Sequence, residues 1–424
     1  MSENNTNSDA STSVNATFAE TVTTYLHKHV LDCWFPACID REHGGFHQTF
    51  SRTWQPKPDQ NRWLVFQTRM VWLAAKVCSL PGINRQQWKA YIDHGTSLIR
   101  ERLVDHAMGG LFLSAPLDRP ADQQPDTRKH AYSISFAIYG AAAAFHATGD
   151  ESHLEDARRW FIWLDAHAHD PEHGGYFEAL NRDGTPIATE QVPGQNDMIG
   201  HPLGLKSLNS HIHLLESFTE LLHAKEDALV RERLTELHHL IAHRLWQQSK
   251  CLPSFYDADW QPRSKHVDYG HEIETGFLLT ESAEVLGLLD DPDTLQAARA
   301  LTDHALDAGW DGEFGGLYNG GEIDGRIVDQ GKNWWAQAEA LNTTLLMDSL
   351  YGHETPQYRE AFERVWKYID EHFIDDEHHG WWGNLSRRGE LQPPDDKGWQ
   401  WKAAYHDGRA LMNVANQLQK QAEG

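Results

Sequence analysis

Three histidines, His213, His271 and His406, stand in three separate and largely apolar stretches of this chain, each with polar or aromatic company. Asn209 and His213 are four apart, His271 and Glu274 three, Trp335 and Glu339 four, so each pair shares one face of a helix. Arg69, Tyr132, Trp334 and the run Trp401, Tyr405, His406, Arg409 occupy corresponding points of other stretches. A buried polar group left unsatisfied costs ~1–3 kcal/mol, so their recurrence at one point of every stretch is better explained by a site than by chance. Imidazole titrates near neutrality and can both take and return a proton. An adjacent cation such as Arg69 stabilises an oxyanion as charge develops. Indole faces stack on the C–H face of a pyranose. Together these residues suit proton transfer at the carbon beside a carbonyl, on a sugar, with His271–Glu274 as an orienting pair. That chemistry needs no cofactor. His211 and His213 do not form a metal pair, because i,i+2 side chains on a helix point to different faces.

The elements that must position these residues repeat. A Gly-Gly-aromatic or Gly-Gly-apolar signal starts at Gly44, Gly109 and Gly174, 65 residues apart, and returns at Gly315 and, reduced, at Gly380. A degenerate copy lies near Pro253, after a longer loop over Gln191–Gly204. The glycines and the second turns that follow several copies predict short β-hairpins. Between them, residues 17–36, 86–104, 151–168, 213–246, 293–309 and 356–373 carry amphipathic helical spacing. The stretches Leu64–Ser79, Tyr132–His146, Ser210–Leu222, Glu272–Leu288, Trp335–Tyr351 and His406–Leu418 are far more apolar. Six alternating pairs predict an all-α fold, an (α/α)6 toroid or barrel of six helical hairpins, with the short β-hairpins in the long loops at one end. An α-solenoid is the alternative, but its repeats are shorter, roughly 33–47 residues.

Composition bounds the partners. Lys and Arg number 37 against 62 Asp and Glu, a formal net charge of −25. Such a surface repels phosphate backbones and anionic lipids, so neither nucleic acid nor membrane is expected as a partner, and a small neutral sugar is. No run approaches the ~20 apolar residues of a membrane span. The first 17 residues are polar, lack the features of a secretory signal and suggest a disordered tail, with a single catalytic domain over 18–424. The expected location is cytoplasmic. Cys33, Cys38, Cys78 and Cys251 form no CxxC and fit reduced, packed thiols.

At NSHIHLLESF (209–218), GHEIETGFLL (270–279), KNWWAQAEAL (332–341) and WKAAYHDGRA (401–410) the chain resembles the N-acylglucosamine 2-epimerase family, most closely its cellobiose 2-epimerase branch. The resemblance implies an (α/α)6 barrel with His271 and His406 as the general acid/base pair. It implies His213 for ring opening, Arg69 for the enediolate, Tyr132 and Asn209 as sugar contacts and Glu274 as orienting acid. The stacking tryptophans fall on Trp334, Trp335 and Trp401; Glu339 joins them as a binding candidate. The implied reaction is cofactor-independent epimerisation at C2 of the reducing-end aldose of a β-1,4 disaccharide such as cellobiose or mannobiose. Many members of that branch have Cys-Pro where this chain has Ala403-Ala404. A D-mannose 2-epimerase or an aldose–ketose isomerase is the alternative. A glycoside hydrolase using Glu274 and Glu339 is a further one.

Overall fold

The computed structural model describes residues 3–187 and 194–423, with the backbone alone for 3–13. Among these residues, twelve helices of at least twelve residues follow one another. They are α1 (Glu3–Leu26), α2 (Leu64–Cys78), α3 (Arg85–Leu98), α4 (Ala131–Thr148), α5 (Glu151–Ala168) and α6 (Leu208–Ala224). The second half holds α7 (Ala228–His239), α8 (Tyr269–Leu286), α9 (Pro292–Gly309), α10 (Trp334–Tyr351), α11 (Gln357–Tyr368) and α12 (His406–Glu423). The even-numbered helices form an inner ring and the odd-numbered ones an outer ring, an (α/α)6 barrel. α11 shows why an outer helix faces as it does: Tyr358, Ala361, Phe362, Val365 and Tyr368 are buried along one stripe and the rest faces water. α4 is buried from Ala131 to Ala144 on every side, as an inner helix must be. Outer helices start on side-chain caps such as Asn84, Asp150, Asp227 and Asp291, the last followed by Pro292. One apolar cluster runs from Ala19 to Leu418. The four cysteines are buried and unpaired.

Two boundaries differ from expectation. The stretch 213–246 is not one outer helix. Lys225 is extended and Asp227 accepts hydrogen bonds from the N–H groups of Leu229 and Val230, so the inner α6 ends and the outer α7 begins there. The helical backbone of α1 also extends back through the polar segment expected to be a tail, which contains no proline or glycine after Glu3 to interrupt it. Among the described residues no helix is long and apolar enough to cross a membrane.

The β-structure is reassigned more substantially. Each Gly-Gly loop closes on a single bridge, such as Ile39 with Phe46 or His169 with Tyr176. The longer pairings join neighbouring repeats. β1 (Asn61–Trp63) pairs with β2 (Ser114–Pro116), and β3 (Lys129–His130) with β4 (Ala179–Leu180). β5 (Lys206–Ser207) pairs with β6 (Phe255–Tyr256), and β7 (His266–Asp268) with β8 (Gly320–Glu322), which also carries β9 (Ile327–Asp329). β10 (Lys332–Asn333) pairs with β11 (Asn384–Leu385). A sixth join, Phe50 to Gly398, links the first repeat to the last. The segment leading into each inner helix is thus tied to the next repeat, and the ties form a closed belt at one end of the barrel.

A buried ion pair fixes the belt in five places. Asp40, Asp105, Asp170 and Asp311 each lie four residues before the Gly-Gly pair of their loop, Asp375 four before His379-Gly380, and each caps the turn that leads there. Their partners are Arg62, Lys129, Lys206, Lys332 and Lys397, all at most 1% exposed. Lys206 also donates to the carbonyls of Gly174 (2.8 Å) and Ala258 (2.9 Å). Gly174 and Gly175 have φ of +76° and +72°, and a Cβ on Gly175 would stand 2.5 Å from Trp260.

Candidate active site

Four of the six inner helices offer the same positions to the same surroundings. The fourth residue turns to the Gly-rich loop outside it. Gln67, His211, Glu272 and Gln337 accept the backbone N–H of Phe46, Tyr176, Leu252 and Leu317. His211 is therefore a structural anchor: its Nε2 accepts from Tyr176 and its Nδ1 donates to the Ser207 carbonyl. Burial, its largest influence, lowers its pKa to about 4. The sixth residue turns the other way, inward, at Arg69, His213, Glu274 and Glu339.

A cavity of about 220 Å³ lies at the belted end. Arg69, Tyr132, Asn209, His213, His271, Glu274, Trp334, Trp335, Trp401 and His406 all line it. Of the predicted site residues, Glu339 alone does not. It stands behind His406, its Oε1 2.6 Å from His406 Nδ1, so it orients a histidine instead of meeting the ligand. Two lining residues went unpredicted, Ile199 and His201, on the described part of the long loop expected over Gln191–Gly204; residues 191–193 lie outside the described residues.

Arg409, from the fourth position of α12, organises the floor. Its Nη1 donates to Glu216 and to Tyr405 Oη, the latter at 2.7 Å. Its Nη2 donates to Glu274 and lies 2.8 Å from Glu339 Oε1. Glu216 in turn accepts from Tyr405 and sits 2.9 Å from His213 Nδ1. Burial pulls Glu216 upward, but Arg409, His213 and Tyr405 outweigh it and hold the carboxyl below its ordinary range. Burial lifts Glu339 to about 7 against the pull of Arg409, and raises Glu274 as well, with Glu339 adding to the rise. The expected His271–Glu274 pair is not formed. Glu274 is taken by Arg409, and the carboxylate beside His271 is Asp268, 3.7 Å from its Nδ1. One guanidinium nitrogen spans Glu274 and Glu339, which leaves no room for a glycosidic bond between them.

Burial lowers the pKa of His213, His271 and His406. For His406 the cations Arg69 and Arg409 and the other two histidines add to that, so it lies well below the ordinary value. With carboxylates on Nδ1, His213 and His406 are neutral rings that keep a lone pair on Nε2. Arg69 is fixed by the Trp401 carbonyl (3.0 Å) and Tyr132 Oη (3.1 Å), with its guanidinium over Phe136 and Tyr405. Trp335 touches both His271 (ring centroids 4.8 Å) and His406 (5.5 Å). Asn209 Oδ1, Trp334 Nε1 and Glu274 Oε2 are buried without a hydrogen-bond partner, so the walls offer polar groups to a polar ligand. Among the described residues, two groups of three side chains have ligating atoms close enough for a metal ion: His130, Glu178 and Asp197, and Glu274, Glu339 and His406. In the second group Arg409 already supplies the positive charge between the carboxylates.

The family to which this barrel belongs makes it an isomerase, of the epimerase class. The chain belongs to the N-acylglucosamine 2-epimerase (GlcNAc 2-epimerase) family, which it matches over residues 44–148 and 199–410. It is 29% identical to a cellobiose 2-epimerase of Bacteroides fragilis, over 92% of this chain and 96% of that protein. It is 26% identical to a D-mannose isomerase of Thermobifida fusca, over 88% of each. The solved structure of cellobiose 2-epimerase from Spirochaeta thermophila DSM 6192 superposes with a TM-score of 0.84 at 28% identity, covering 96% of this chain and 98% of that one. These relatives support sugar 2-epimerase activity.

Proposed function

We propose that residues 18–424 form a single catalytic domain that inverts C2 of the reducing-end aldose of a β-1,4 disaccharide of the cellobiose or mannobiose type. The observation that carries this reading is the meeting of His213, His271, His406 and Arg69 on one cavity. The aldose opens first. His213, held by Glu216, moves a proton between O1 and the ring oxygen. One of His271 and His406 then takes the C2 proton, and the C–H electrons pass to the carbonyl as an enediolate. Arg69 faces the oxygen on which charge collects. The other histidine, neutral at rest, takes up a proton from solvent and delivers it to the opposite face of C2 as the carbonyl re-forms, and loss of the first histidine's proton to solvent restores the pair. Tyr132, Asn209 and Glu274 bond the hydroxyls, while Trp334, Trp335 and Trp401 stack on the sugar and hold the opened chain.

The similarity to a D-mannose isomerase favours a second reading, in which the same enediolate is reprotonated at C1. Proton NMR in D2O with cellobiose, mannobiose, mannose and glucose separates the two. Epimerisation places deuterium at C2 and yields the C2 epimer; isomerisation yields a ketose. Retention of the C2 hydrogen by every sugar sinks both.

A further inference from the structure

The proposed reaction occupies one end of the inner ring. The other end is hollow as well, and it carries charge that the fold does not compensate. The inner helices all start at the belted end, so their C-termini gather at the far one, each with about half a negative charge. The chain's formal charge of −25 adds to the attraction for cations. A hollow of about 440 Å³, within the ~300–1,000 Å³ of small-molecule sites, opens there between α8, α10 and α12. Glu281 and Glu284, one turn apart on α8, line both this hollow and a neighbouring one of about 550 Å³.

The cations of the neighbouring hollow are already taken. Lys76 Nζ donates to both oxygens of Glu220 at 2.7 Å, and Arg231 grips Glu226 through two nitrogens at 2.7 Å. Lys420, on the wall of the smaller hollow, is exposed and pairs with neither carboxylate. Glu281 and Glu284 make no hydrogen bond or ion pair among the described residues. Burial is the largest influence on Glu281 and lifts its carboxyl to about 7; Arg409 and Lys76 draw it down, while Glu216 and Glu220 push it up. The wall formed by α10 is unmatched too. Asn342, only 1% exposed, lines the smaller hollow with its Nδ2 buried and without a hydrogen-bond partner. Such a donor costs ~1–3 kcal/mol until something accepts from it. Ser349, two turns further along the same face, has its Oγ already accepting from Gln417 (2.6 Å) and Gln421 (2.8 Å), so its own hydrogen is free to donate. A metal ion fits poorly, because among the described residues neither Glu281 nor Glu284 belongs to a group of three side chains close enough to hold one. An ammonium satisfies the glutamates, and hydroxyl oxygens satisfy Asn342 and Ser349.

We infer that the far end of the barrel holds a second binding site, for a small organic cation that bears hydroxyl groups, an amino alcohol. Its ammonium lies against Glu281 and Glu284, and its hydroxyls accept from Asn342 and Ser349. The site is separate from the C2 chemistry and does not rest on it. The test is isothermal titration of the full chain at pH 7 in phosphate buffer with two probes. One is Tris, an ammonium on a carbon with hydroxymethyl groups. The other is pentaerythritol, in which a further hydroxymethyl group replaces the ammonium, so the pair differs in charge at nearly constant shape. The wild type binds one Tris per chain and gives no heat with pentaerythritol. Glu281→Gln, which keeps the shape and removes the charge, weakens Tris about tenfold, and Asn342→Ala weakens it about threefold. Glu281→Gln decides the matter if Asn342→Ala lowers the melting temperature. His271→Ala, altered at the opposite end, binds Tris as the wild type does. Pentaerythritol binding as tightly as Tris, an unchanged affinity in Glu281→Gln, a loss of binding in His271→Ala, or no heat from millimolar Tris each overturns the inference and leaves the proposed C2 chemistry standing.

Discussion

His406 Nδ1 lies 2.6 Å from Glu339 Oε1, although the two residues are 67 positions apart on the last two inner helices. The link is closed within α12, because Arg409, one turn after His406, reaches the same Glu339 oxygen at 2.8 Å. The imidazole is therefore aimed by a carboxylate that its own helix holds in place. Glu339→Gln keeps the shape and removes the charge. We expect kcat to fall by roughly 10²-fold, within the range of acid–base contributions, with KM changing less. A KM effect alone would show Glu339 to be a binding residue after all.

His271→Ala and His406→Ala should each reduce C2 exchange by ~10²-fold or more while circular dichroism and the melting temperature stay near those of the wild type. Both rings border the cavity, and neither is an anchor of the belt. Near-normal turnover in either variant assigns the proton transfer elsewhere.

The pH profile follows from the direction of the histidine shifts. His406 faces Arg69, Arg409, His213, His271, Glu274 and Glu339, and the cations with burial keep it neutral. His271 faces Asp268, His201, His266 and Arg69, and burial again dominates downward. A base whose pKa lies below 6.5 stays deprotonated as pH falls through 6.5. The acid limb of kcat/KM should therefore lie below pH 6.5, and a limb at or above 7 would contradict the arrangement.

Lys206→Met strips the cation from Asp170 and two carbonyls at once. Breaking a buried pair from one side costs about 3–5 kcal/mol. We expect urea unfolding to report a loss of that order with an unchanged m-value. A loss below 1 kcal/mol would mean the belt does not depend on its ion pairs.

The barrel was legible because its signals are local. Gly44, Gly109 and Gly174 recur at a fixed interval, and apolar stretches such as that of α4 need no partner to be recognised as buried. The cavity residues were legible because they gather in, or just before, the first turns of the inner helices. Their partners were not. Glu274 stands three residues after His271, yet Arg409 claims it from another helix, 135 positions away. Glu216, which holds His213, resembles any glutamate on a helix face until Tyr405 and Arg409 arrive from the far end of the chain. The aspartates of the belt were similarly hidden: Asp170 is a turn residue by sequence, and only the fold brings Lys206 to it. Spacing along one helix reports shared faces, not which neighbouring helix supplies the counter-charge.

The join between Phe50 and Gly398 has a consequence for biosynthesis. As the chain leaves the ribosome, five of the six ties can form in order, each between a repeat and its successor. The sixth waits for residue 398, and His406 and Arg409 emerge after it. An interrupted translation product therefore carries most of the barrel but neither the imidazole nor the guanidinium that completes the floor. A chain interrupted before residue 398 therefore lacks the sixth tie and the floor together.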